Sequence, residues 1–158
     1  MKTLSYMIGF LLGVALTAQA AFADAKVMNA GEAVGQLVYL SVEDVTGVSD
    51  KFKSLNAYSI PVFAELPMDL TVVAGAITLK QQNLLSHVQI KSRARRTPNL
   101  DISGLEGGMG NPLFSSFKEG DYIRMLLTKE GGIALEPSTE AAAMEFYEKK
   151  KSAKVELK

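Results

Sequence analysis

His87 is the only histidine in the chain, and the residues around it are the ones whose types and spacing could do chemistry. An imidazole is the one side chain whose ordinary pKa leaves it both nucleophilic and proton-accepting near neutrality. Between Thr71 and Leu100 there is no Asp or Glu, while Lys80, Lys91, Arg93, Arg95 and Arg96 all fall inside that stretch. The whole chain carries 17 basic and 17 acidic residues, so the stretch concentrates cations locally around one nucleophile. Such an arrangement suits an anion.

Other chemistries fit these residues poorly. Ser86 adjoins His87, and adjacent residues on a helix do not face each other, so a Ser-His-Asp triad is a poor explanation. A metal site lacks ligands, because one imidazole stands here without cysteine or a nearby carboxylate. The glycine-rich run Gly104–Gly110 (GLEGGMG) lacks the Gly-Lys-Ser/Thr ending of a phosphate-binding loop and reads as a flexible turn. A lone histidine is more often an ordinary polar or core residue, and an arginine run is usually a solvated helix face.

The elements that must position these residues follow from hydrophobic pattern. Gln36–Val42 is rich in β-branched and aromatic residues and predicts a first strand after a polar lead-in from Asp24 to Gly35. A short helix is expected around Ser49–Leu55. Ser59–Glu65 predicts a second strand, with Pro61 near its start suiting a sheet edge. Leu70–Leu79 is apolar on both faces and predicts a central strand, interrupted by Gly75 at a bulge or close backbone approach. From Leu84 onward, His87, Ile90 and Ala94 recur at three-then-four spacing, which suits a helix, although Val88 and Ile90 alternate as a short strand would. Thr97-Pro98-Asn99 ends that segment. Leu100–Ile102 predicts a short strand. Asp121–Lys129 and Ile133–Glu136 predict a hairpin. A final helix starts at an N-cap Ser138, with Met144, Phe146 and Tyr147 available to pack.

Composition bounds the class. With 158 residues, 47% of them hydrophobic and 22% charged, one globular domain can bury its own core. A net charge of zero argues against a nucleic-acid partner. The absence of cysteine excludes disulfides and thiolate chemistry. Residues 1–23 have Lys2 followed by the apolar segment Tyr6–Leu16 and small residues, the pattern of a secretory signal peptide, with cleavage expected after Ala23 or Ala20. The expected organisation is a signal peptide at 1–23, one domain at 24–150 and a charged tail at 151–158. Location is expected to be periplasmic or secreted, with no stable membrane span after cleavage.

The strings AGAIT (Ala74–Thr78) and LSHVQIKSRARRTPN (Leu85–Asn99) resemble the phosphohistidine motif of the mobile, swivelling domain of phosphoenolpyruvate-utilising enzymes and dikinases. The likeness extends over most of Met28–Lys151. It implies an α/β fold, a compact three-layer β/β/α swivelling domain. It also implies that His87 accepts a phosphoryl group, that Arg93, Arg95 and Arg96 offset its charge, and that Ser86 and Thr78 donate hydrogen bonds to it. The chain itself would bind no cofactor. The donor, ATP or phosphoenolpyruvate, would act through a separate ATP-grasp or PEP/pyruvate-binding partner. The alternative is an exported non-catalytic binding or structural module that keeps the fold.

Overall fold

A computed structural model describes residues 24–112 and 114–156, so the expected signal peptide lies outside the described residues. Seven strands form one curled mixed sheet, a half-barrel, in the order β1-β5-β4-β3-β2-β6-β7. The strands are β1 (Lys26–Asn29), β2 (Gly31–Leu40), β3 (Ser59–Phe63), β4 (Ala76–Thr78), β5 (Asn99–Asp101), β6 (Tyr122–Leu127) and β7 (Ile133–Pro137). Four α-helices accompany them among the described residues: α1 (Val42–Thr46), α2 (Asp50–Lys53), α3 (His87–Arg95) and α4 (Glu140–Glu156). This overturns the expected three-layer β/β/α swivelling domain. One continuous sheet bends around its own core, in place of two stacked sheets with a helical layer.

The parallel strands β2 to β5 are buried on both faces, and the period-two rule sorts their side chains into two cores. Ala33 and Leu37 of β2, Ile60 and Val62 of β3, Ile77 of β4 and Leu100 of β5 enter the first core. Ile123, Met125 and Leu127 of β6 join them inside the curl, which Ile102, Leu105 and Phe114 of the following loop help to close. Leu40, Phe63 and Ala76 point the other way, into a second core completed by Val45, Leu55, Leu70, Val73 and Val88. Strand β6 is covered on one face only, with Arg124 and Leu126 on its open side.

Connections explain where the site sits. Strands β2 and β3 run parallel and are joined through α1 and α2, while β4 and β5 run parallel and are joined through α3. Parallel neighbours need such crossovers. The carboxyl ends of β2, β3, β4 and β5 therefore share one end of the sheet, and α3 starts at that end.

Several sequence expectations need correction. The lead-in 24–35 contains β1 and the first half of β2. The expected strand 70–79 shrinks to Ala76–Thr78, because Leu70 and Val73 bury into the second core while Thr71 and Val72 face solvent. Gly75 does mark a close approach: a Cβ there would meet the Ala33 Cβ and the Met125 Cε at 2.9 Å each. Pro61 lies in a central strand, opposite Val38 of β2, and not at an edge. The Ala64 N–H reaches Leu40 O on the β2 side, and strand N–H groups alternate sides. The missing donor of Pro61 thus faces β4 just before pairing begins at Val62–Ile77. Helix α4 is capped by Thr139, whose Oγ1 accepts the Ala142 N–H at 3.1 Å, and not by Ser138. It continues through Glu156, so most of the expected tail is helical. Ala143 is its buried contact, while Met144 is exposed. The expected hairpin is present as β6 and β7.

Candidate functional site

The segment Leu79–Ser86 leaves the end of β4 and delivers His87 to the first turn of α3. Asn83 folds its tip: the carbonyl accepts the Ser86 N–H at 3.1 Å, and the side-chain Oδ1 accepts the Leu85 N–H at 2.8 Å. Ser86 is the N-cap, its hydroxyl accepting the Gln89 N–H at 3.2 Å and its carbonyl the Ile90 N–H at 2.9 Å. Of the four donors that a helix start leaves without intrahelical partners, those of His87 and Val88 point out of the helix end. No acidic residue lies in this first turn. The His87 side chain is exposed and makes no hydrogen bond or ion pair among the described residues.

Beneath the loop lies a buried network of side-chain amides. Gln82 donates through Nε2 to Thr78 Oγ1 at 2.7 Å and to Asn99 Oδ1 at 2.9 Å. Asn99 donates through Nδ2 to Gln82 Oε1 at 2.8 Å and to Gln89 Oε1 at 3.1 Å. Gln89 in turn donates to Met28 O at 2.8 Å. Asp101 accepts the Gln82 N–H and the Ser103 N–H, each at 2.9 Å. The network ties the ends of β4 and β5 to both flanks of the histidine loop. Apart from Thr78, the sequence reading missed these residues; an amide and a carboxylate flanking Leu100 in a short buried strand were the available signal.

The cations are distributed along α3 and are not gathered at His87. At 1.5 Å of rise per residue, Arg93, Arg95 and Arg96 lie about 9, 12 and 13 Å along the axis from His87. Arg95 donates through Nη1 to Leu70 O, and Arg96 closes the helix in the left-handed region at φ 54°. Cations at that end suit the helix dipole. Ser86 stands beside His87. Thr78, expected to contact a phosphate, is fully buried with its hydroxyl engaged by Gln82.

The preceding loop supplies the acids that the sequence window excluded. Lys80 pairs with Glu65 at 2.5 Å, and Lys91 with Asp69 at 3.4 Å. The Lys80 ammonium, bonded to Glu65, and the Leu66 N–H hold that carboxyl below the usual carboxylate range. The charge of Lys91 and the Leu70 N–H do the same for Asp69. Arg93 and Arg96 make no ion pair among the described residues. No group of three or more His, Cys, Asp or Glu side chains able to hold a metal occurs among the described residues. No described helix is long and apolar enough to cross a membrane.

No protein-family model and no curated protein matches the chain. Among solved structures, the chain is similar to the solution NMR structure of a UPF0107 protein, at 14% identity and a TM-score of 0.45, over 73% of this chain and 98% of that one. That likeness is too distant to assign a fold family.

Proposed function

We propose that the chain is a phosphohistidine carrier of the phosphoenolpyruvate-utilising or dikinase-like kind, accepting a phosphoryl group on His87. The observation that carries this reading is the position of His87: exposed, without a hydrogen-bond or ionic partner among the described residues, at the start of a nine-residue helix that follows the end of β4. Ligands of parallel sheets gather at the carboxyl ends of strands, and a helix start attracts phosphate through its N–H groups and dipole.

The step is a transfer between oxygen and nitrogen. The lone pair of one ring nitrogen attacks the terminal phosphorus of ATP or phosphoenolpyruvate, the N–P bond forms, and the bond to the bridging oxygen breaks. ADP leaves, or pyruvate after its enolate takes up a proton, and the other ring nitrogen releases its proton to solvent. The N–H groups of His87 and Val88 then face the new charge, with Ser86 beside them. The arginines act only at longer range, which makes backbone donors the main stabilisers. A kinase partner of the ATP-grasp type supplies the donor site.

A second reading, an exported non-catalytic binding or structural module, is favoured by one observation: the three arginines stand at the far end of α3 from His87. Incubation with labelled ATP or phosphoenolpyruvate and a candidate ATP-grasp partner separates the two. The carrier reading expects acid-labile, alkali-stable label that His87→Ala loses. Label that survives His87→Ala, or none from any donor, favours the second.

A further inference from the structure

The spacing of His87, Ile90 and Ala94 marks an outward crest of α3, while Val88, Gln89 and Ser92 form the buried side. At 100° per residue the three crest residues span roughly 60° of the helix circumference. Two exposed turns extend this crest. Leu84 and Leu85 precede the helix at 67% and 82% exposure, and Met68 stands 81% exposed in the loop that flanks it. The Asp69–Lys91 ion pair and the bond from Arg95 to Leu70 O fasten that loop along α3. Val72 and Ile90 are exposed on the same elements. Thus, among the described residues, five of the ten exposed large hydrophobic residues lie on α3 and the two loops beside it.

Charges flank this crest: on α3, Lys91 and Arg95 lie toward the loop and Arg93 on the opposite flank, with Arg93 and Arg95 exposed, while Glu65 and Asp69 of the loop pair with Lys80 and Lys91. We propose that this face docks on an anionic lipid bilayer. Its apolar side chains stand on turn tips and on a helix crest, outside the hollow beside Phe117 and Tyr122 and outside the one beside Tyr39 and Met109. A fluid interface accepts separated, protruding apolar side chains without a shaped counterpart, and basic residues around them meet lipid phosphates. The residual cation excess supplies the charge complementarity. The inference does not rest on phosphoryl transfer to His87.

The test uses the chain from Asp24 onward, which contains both cores and the whole described sheet. It is sedimented with phosphatidylcholine vesicles, with and without about 30% phosphatidylglycerol. Binding is expected on the anionic vesicles and at least tenfold weaker on the neutral ones or in raised salt. Leu84→Ser with Leu85→Ser is expected to weaken binding at least tenfold with an unchanged melting temperature, and Lys91→Gln with Arg93→Gln to weaken it on anionic vesicles only. Absence of binding to anionic vesicles at low salt, or binding unchanged in the leucine variant, overturns the proposal. So does a self-association, seen by sedimentation velocity without lipid, that the leucine variant abolishes, for it assigns the face to a second copy.

Discussion

Replacing Asn99 by alanine tests the network that holds the histidine loop. Asn99 is fully buried, and its Nδ2 serves two acceptors, Gln82 Oε1 and Gln89 Oε1. Alanine leaves both acceptors without that donor inside the protein, while Gln82 Nε2 keeps Thr78 Oγ1. A buried polar atom left unpaired costs about 1–3 kcal/mol, and the vacated amide volume adds to that. The expected loss is about 2–5 kcal/mol, a large share of the roughly 5–15 kcal/mol that a domain possesses. Equilibrium unfolding in urea reads the loss as a lower midpoint with an unchanged slope. Amide exchange in Gln82–Val88 is expected to speed up more than exchange in β6, because the loop loses its tether first. A loss below about 0.5 kcal/mol, within the range of ordinary surface substitutions, refutes the claim that the amides hold the loop.

Gly75→Ala is expected to lower the melting temperature by the equivalent of about 1–3 kcal/mol, since its new methyl meets Ala33 and Met125 at 2.9 Å; calorimetry reads it, and a neutral result removes the close-approach argument. Ser92→Ala is expected to be neutral or stabilising, because the Ser92 hydroxyl is buried without a hydrogen-bond partner among the described residues and alanine removes only that burden; urea unfolding decides. Glu65 and Asp69 have lowered folded-state pKa values, so their contribution is present above the ordinary carboxylate range and is lost as pH falls through the lowered values. Acid titration followed by NMR is expected to loosen residues 65–72 from α3 in that acidic window, and Lys91→Gln to raise the Asp69 midpoint. His87→Ala is expected to change stability by less than about 0.5 kcal/mol, because the exposed ring supports nothing; a larger loss in urea makes His87 a structural residue.

The parts of the fold that follow local pattern were legible. The β6–β7 hairpin, the short β5, the helical turn within Ser49–Leu55 and the body of α3 follow local pattern, although α3 starts at His87 and not at Leu84. What escaped is set by tertiary contacts. Nothing local tells Leu70 and Val73 to turn into a second core and leave Val72 outside, or places Pro61 in a central strand where β4 has not yet begun to pair. The curl of the sheet, which replaces the expected three layers, depends on how the 102–117 loop fills its concave side. At the site, the sequence window located His87, but a count of charges carries no direction. The helix rise separates the arginines from His87, and Glu65 and Asp69 return from outside the window to pair with Lys80 and Lys91. The amide network was hidden because each of its members reads, alone, as an ordinary polar residue.

The central claim is that His87 carries a phosphoryl group, and its most direct test is the state of that residue in protein taken from its natural source. The chain is purified under alkaline conditions, which preserve phosphohistidine, digested, and sequenced by mass spectrometry across Leu84–Arg93. A phosphoryl group on His87, absent after brief acid treatment, is the predicted result. A His87 peptide that is unmodified in every growth condition, or phosphate found only on serine or threonine, contradicts the account.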